Sequence, residues 1–170
     1  MTRRNMFYYL YALITMPGVV LHELGHAFFC VFSGIKVHEV KLFRFGNPAG
    51  YVVHDEPTKF LPGLLISLGP LLINSLLALL CFSQVKAPYL AVRPALFLWL
   101  GLALGLHAIP STGDAKAIFN LANHRFWRNP LVIISYPFIL LLYILNLLKR
   151  LHIDIVYVAV LFWLGNIYLK

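Results

Sequence analysis

The five residues His22-Glu23-Leu24-Gly25-His26 carry the most pointed chemistry in this sequence. In a helix, positions four apart lie one turn above each other on the same face, so His22 and His26 can present two imidazoles to one tetrahedral metal ion. Glu23 lies one residue round from that face, close enough to serve a water on the metal without being a ligand. This is the constellation of zinc-assisted peptide hydrolysis, in which the metal polarises and the carboxylate moves the proton. The alternative is a hydrogen-bonded His/Glu cluster that locks helices together. It is the weaker reading, because three polar side chains that are scarce here and costly in hydrocarbon fall into one five-residue pattern.

A catalytic zinc usually has three protein ligands and one open position, so the two histidines need a partner. Asp114 is the expected third ligand, with His107 as its rival. Each has a plainer alternative. Ser111-Thr112-Gly113-Asp114 fits the S-x-x-D pattern of a helix N-terminal capping box, and His107 fits a packing or outer-sphere histidine. Asn74 is the one strongly polar residue in the second apolar run.

Those residues must be positioned by elements suited to an apolar solvent. The 170 residues are 61% hydrophobic and 12% charged, with a mean hydropathy of +0.80. Soluble domains run at roughly 45–50% and 25%, so the composition points to a membrane protein. Taking about 20 apolar residues per crossing, runs at Phe7–Phe32, Phe60–Phe82, Leu90–Ile109, Leu131–Leu148 and Ile153–Leu169 predict five spans. The expected fold is an all-α membrane protein of about five transmembrane helices, forming one domain over residues 1–170. Its core lies at about 7–120, and residues 130–170 form an accessory helical hairpin turning at Lys149-Arg150-Leu151-His152. Proline at the first turn suits Pro130, and Pro137 is expected to kink the fourth span.

Between the first two spans, β-branched and aromatic residues alternate imperfectly with charges from Val37 to Phe45. They then meet Gly46-Asn47-Pro48-Ala49-Gly50 and continue at Tyr51-Val52-Val53. Two short runs around such a turn read as a β-hairpin, with an irregular or re-entrant loop as the alternative. Ala115–Asn123 is expected to form a short interfacial helix. At 1.5 Å per residue, His26 lies about 10 Å from the end of the first run and His22 about 22 Å from its start. The motif is thus expected inside the bilayer, nearer the hairpin side, where the third span returns.

The net charge of +8 is spread over the connections and forms no stripe or block, which argues against nucleic acid and for lipid headgroups. Six basic residues fall on the N-terminal side and eight on the hairpin side, so the hairpin side is expected to be cytoplasmic in a multi-pass protein of the cell membrane. Met1-Thr2-Arg3-Arg4 followed by apolar residues looks like a signal peptide, but no small-residue cleavage site follows and the segment is expected to be retained. Cys30 and Cys81 lack any metal or disulfide spacing and are expected to be buried thiols.

The HELGH sequence, Gly69-Pro70-Leu71-Leu72-Ile73-Asn74 and the acidic residue after the third run together resemble the site-2 protease family of intramembrane zinc metallopeptidases, over about Met16–Lys116. Pro110-Ser111-Thr112-Gly113-Asp114 looks like that of its compact zincin branch, although the glycine precedes the aspartate where the family has Leu-Asp-Gly or Asn-Pro-Asp-Gly. The resemblance implies one Zn2+ held by His22, His26 and Asp114, Glu23 as general base, and Asn74 at the substrate or its oxyanion. It also implies a membrane-protein substrate with a transmembrane helix. That helix must be unwound before cleavage, and a strand edge near Gly46–Val53 is expected to hold it extended; unchanged cleavage after blocking that edge with proline would sink the idea. The rival from another class is a metal-binding membrane protein without hydrolase activity, a transporter or pseudoprotease, which has no need of Glu23.

Overall fold

A computed structural model of the chain describes residues 3–86 and 91–168, and of residues 3–5, 149 and 150 the backbone alone. The outer ends of two expected runs, Leu90 and Leu169, lie outside the described residues. The elements in order are α1 (Arg3–Ile14), α2 (Met16–Phe32), β1 (Val37–Lys41), β2 (Tyr51–His54), α3 (Phe60–Ser83), α4 (Val92–Leu106), α5 (Thr112–Arg125), α6 (Pro130–Leu147), a 3-10 turn at Leu148–Leu151, and α7 (Ile153–Tyr168).

The expected first span is broken. α1 and α2 meet at Thr15 with a bend of 76°, because Pro17 has no N–H to continue the ladder and its ring crowds the carbonyl four residues back. Proline in a first turn suits the helix it starts and ends the one before it. HELGH therefore sits at the centre of α2, about 9 Å from either end, and the asymmetric depth expected from one long helix does not apply.

α3 is the longest helix, and the others can be oriented against it. Gly18 of α2 faces Asn74 of α3, Gly25 faces Pro70 and His26 faces Ile66, so α2 runs antiparallel to α3. α4 is antiparallel as well, with Gly101 against Phe82 and the His107 carbonyl against Asn74. α5 continues in the same direction, since Leu121 packs on Gly63 and Arg125 donates to the Thr58 carbonyl near the start of α3. The short helix expected at Ala115–Asn123 is present as α5 and extends further at both ends; it is packed between α3 and α6, burying Ala115, Ile118 and Ala122.

The accessory helical hairpin is not formed. α6 runs antiparallel to α5, as Phe119 stacks on Tyr143 at 4.5 Å while Phe126 meets Tyr136 at 4.8 Å. α7 packs instead on α3 and α4, with Ser75 bonded to Tyr157 and Phe82 against Phe162. α6 and α7 therefore follow one another in the direction of α3. The reversal expected at Lys149-Arg150-Leu151-His152 is replaced by a 3-10 turn that merely interrupts the path. α6 itself runs unbroken through Pro137.

Beside a small apolar cluster of Ala12, Val19 and Ala49, two larger ones form, one of Phe60, Ile118, Ala122, Val132 and Ile139 near the start of α3, the other of Phe82, Val85, Leu104, Val158 and Leu161 near its end. Between them lies a layer holding the buried polar residues His22, His26, Ser67 and Asn74.

By length and composition, α3 and α6 can each cross a membrane, and the bent α1–α2 pair makes a third candidate. α4 and α7, at 15 and 16 residues, fall short of a crossing. Among the described residues, the count of five is thus reduced to two or three candidate spans. The β-hairpin is present, antiparallel with Glu39 opposite Val53, Val40 opposite Val52 and Lys41 opposite Tyr51, and irregular between Val37 and Glu39. His38 Nε2 lies 2.6 Å from Asp55 Oδ1, and this hydrogen bond holds the Asp55 carboxyl below its usual range. Cys30 is fully buried and Cys81 partly so.

Candidate metal centre

His22, His26 and Asp114 converge. Each offers one ligand atom, and the three atoms lie within 4.8 Å of one another. His22 Nε2 is 3.2 Å from His26 Nε2, while Asp114 Oδ2 is 3.3 Å from His26 Nε2 and 3.8 Å from His22 Nε2. A tetrahedral zinc with bonds of 2.0–2.1 Å sets its ligands about 3.3 Å apart. Two of the three separations match that edge, and the third exceeds it by an amount that a side-chain torsion closes.

The hydrogen-bond partners fix the tautomers. His22 Nδ1 lies 2.6 Å from the His107 carbonyl, and His26 Nδ1 lies 2.9 Å from the Ile66 carbonyl. A carbonyl can only accept, so both Nδ1 atoms carry the proton and both Nε2 atoms of the neutral rings present lone pairs. Asp114 Oδ2 is likewise an acceptor. Three lone-pair atoms facing one another are balanced by a cation, whether a metal ion or an extra proton on one imidazole. The two carbonyls are the outer-sphere partners that metal-binding histidines ordinarily have.

Both carbonyls are available for a backbone reason. Pro70 has no N–H, so the helical partner of the Ile66 carbonyl, four residues earlier, is missing. The His107 carbonyl is at the end of α4, where helices leave their last carbonyls unbonded. The Gly69-Pro70 pair thus acquires a physical role. Pro70→Ala would supply the missing N–H and let it compete with His26 for Ile66. The expected result is zinc affinity lowered by about tenfold with helix stability unchanged or raised, read by chelator competition and thermal melting; equal affinity would remove Pro70 from the site.

The capping reading of Asp114 is met, and the same carboxylate stands beside the two histidines, where a third ligand is expected. Ser111 is the N-cap of α5, its amide and hydroxyl donate to Asp114 Oδ2 at 2.9 and 2.6 Å, and the Asp114 amide donates back to Ser111 Oγ at 3.2 Å. The capping box aims the carboxylate at the histidines. His107 turns its ring elsewhere, with Nε2 2.8 Å from Thr15 Oγ1. Because that hydroxyl donates to the Tyr11 carbonyl at 2.9 Å, it accepts from His107. His107 serves the site through its backbone.

Asn74 is fully buried, and its amide donates to the carbonyls of Gly18 at 3.1 Å and His107 at 3.3 Å. It ties α2, α3 and the end of α4 together. The oxyanion role implied by the family resemblance would require one of these bonds to open. Its Oδ1 is buried and has no hydrogen-bond partner among the described residues.

Glu23 is half-buried and stands outside the three-residue cluster, on the wall of a cavity of about 170 Å3 that it shares with His22, Tyr8, Ala49, Gly50 and Ile109. Gly50, in the connection between the strands, comes close enough that a Cβ there would lie 2.7 Å from Glu23 Cγ and 2.9 Å from the Leu42 carbonyl. The hairpin connection therefore closes over the acid, and only glycine fits. A second cavity of about 360 Å3 opens on the far side of Asp114, between α3, α5 and the end of the hairpin, with Ser67, His54, Glu56 and His124 among its walls. The cluster is reached from two sides.

Fold and site together define a class, an apolar helical protein with two buried histidines and a half-buried aspartate in one cluster beside a glutamate. No family model, curated protein or solved structure matches the chain, so the resemblance rests on the motifs themselves.

Proposed function

We propose that this chain is a zinc-dependent intramembrane endopeptidase that hydrolyses a peptide bond within or next to a transmembrane segment of a membrane protein. The observation that carries the reading is the convergence of His22 Nε2, His26 Nε2 and Asp114 Oδ2 at near-tetrahedral spacing, with Glu23 on the adjoining cavity wall. A zinc ion held by His22, His26 and Asp114 would supply Lewis acidity, activating water as a nucleophile and polarising a carbonyl. Glu23 accepts the proton of the attacking water and returns it to the leaving amine. The His107 and Ile66 carbonyls keep both imidazoles in the ligand tautomer, and Ser111 keeps the carboxylate turned inward. A strand edge of the hairpin beside the site holds the unwound substrate extended.

The apolar helices support an integral, multi-pass protein of the cell membrane, with α4 and α7 sharing the depth of α3, on which they pack. Lys36, Lys41, Arg44 and Lys59, on the hairpin and its flanks, support a cytoplasmic hairpin side. A transporter or a non-hydrolytic binding protein would use the same metal without Glu23. The reading is tested by incubating the purified protein, zinc-loaded or zinc-stripped, with transmembrane peptides. Cleavage that disappears on stripping and returns with zinc supports it; cleavage indifferent to zinc contradicts it.

A further inference from the structure

Asn146 lies one residue before the end of α6, in a helix that is otherwise almost wholly apolar. It is 7% exposed. An amide in such surroundings is costly unless hydrogen-bonded, and Asn146 Nδ2 donates to the Pro110 carbonyl at 2.8 Å. Pro110 is fully buried and belongs to the short segment between α4 and α5. That segment is the hub of the metal centre. At one end the His107 carbonyl orients His22, and at the other Ser111 holds Asp114. Asn74 grips its beginning and Asn146 its middle, from helices α3 and α6.

We infer that Asn146 is a positioning residue for the metal centre, fixing the 107–111 segment so that the outer-sphere partners of His22 and Asp114 are in register before the ion arrives. The inference rests on the zinc reading above. It gives α6 a part in the site that its apolar composition conceals. A chain break left unpinned lets two ligand supports drift independently, and mis-set outer-sphere partners typically cost metal affinity by 10–100-fold.

The test compares wild type, Asn146→Leu and Asn146→Gln, purified in detergent, by chelator competition for zinc and by melting of the zinc-free protein. Leucine fills the same space without a donor, while glutamine keeps an amide. The expected result is an affinity about tenfold weaker in Asn146→Leu and a smaller loss in Asn146→Gln, with zinc-free melting recording what the Pro110 carbonyl loses without its donor. Should Asn146→Leu fail to fold, Asn146→Ala takes its place in the same comparison. Zinc-binding wild type with unaltered affinity in the donor-less variant overturns the role of Asn146 alone. An affinity loss in Asn146→Gln as large as in the donor-less variant also overturns it, since an amide at this position would then make no difference. Wild type that binds no zinc overturns the metal reading and this inference with it.

Discussion

Glu23→Gln is expected to abolish peptide hydrolysis while leaving zinc in place. The substitution keeps the size of the side chain and its place on the cavity wall beside His22, so neither α2 nor the His22–His26 spacing is disturbed. It removes the one group there able to take a proton from the attacking water. General base catalysis is worth about 10²–10⁴-fold, so turnover should fall by at least that factor, with substrate binding and zinc stoichiometry close to wild type. The measurement is single-turnover cleavage alongside metal analysis of the same preparation. A variant that cleaves at the wild-type rate removes Glu23 from the mechanism, and one that loses zinc shows a ligand or support role instead.

The second large effect is expected at Asp114, whose part in the capping box and whose proposed part as a zinc ligand can be separated. Asp114→Asn keeps a side chain able to bond within the capping arrangement but exchanges a charged ligand for a neutral amide. Ser111→Ala removes the hydroxyl that holds Asp114 Oδ2 at 2.6 Å and accepts from its amide at 3.2 Å, and leaves the carboxylate. Ser111→Ala should weaken zinc by about tenfold and cost α5 about 1 kcal/mol as a lost cap. Asp114→Asn should weaken zinc by more than about 100-fold, beyond what outer-sphere partners usually contribute, with little change in zinc-free stability. Unchanged zinc occupancy in Asp114→Asn would leave the residue as a cap alone.

The chemistry-bearing residues were legible because their spacing is local. His22 and His26 share a face for any helix of that register, and Ser111 and Asp114 share a first turn. What could not be read is set by backbone from distant parts of the chain. The partners of the two imidazoles are carbonyls, 40 and 85 residues away in sequence, and a carbonyl has no residue type to flag it. The breaks in the helices divide differently. Pro17 signalled the one at Thr15, and hydropathy alone overrode it. The continuation from α6 into α7 had no such marker, because a four-residue connection permits either a reversal or an interruption and packing on α3 decides. Asn146 was visible as a polar residue in an apolar run, yet its partner Pro110 lies 36 residues away. The bend at Thr15 is held by contacts of the same long-range kind, among them Trp99 Nε1 donating to the Ile14 carbonyl at 2.9 Å.

The central claim is that His22, His26 and Asp114 hold a zinc ion with which Glu23 hydrolyses a peptide bond. Its most direct test is one purified, detergent-solubilised sample analysed for metal and then incubated with a panel of transmembrane peptides, the products being weighed by mass spectrometry, with Glu23→Gln treated identically. The account predicts one zinc per chain in both proteins, and in wild type alone, fragments whose masses sum to the peptide plus one water, cut within or beside the apolar segment. Stoichiometric zinc with every peptide intact, together with a Glu23→Gln protein that alters no cleavage in cells, would contradict it.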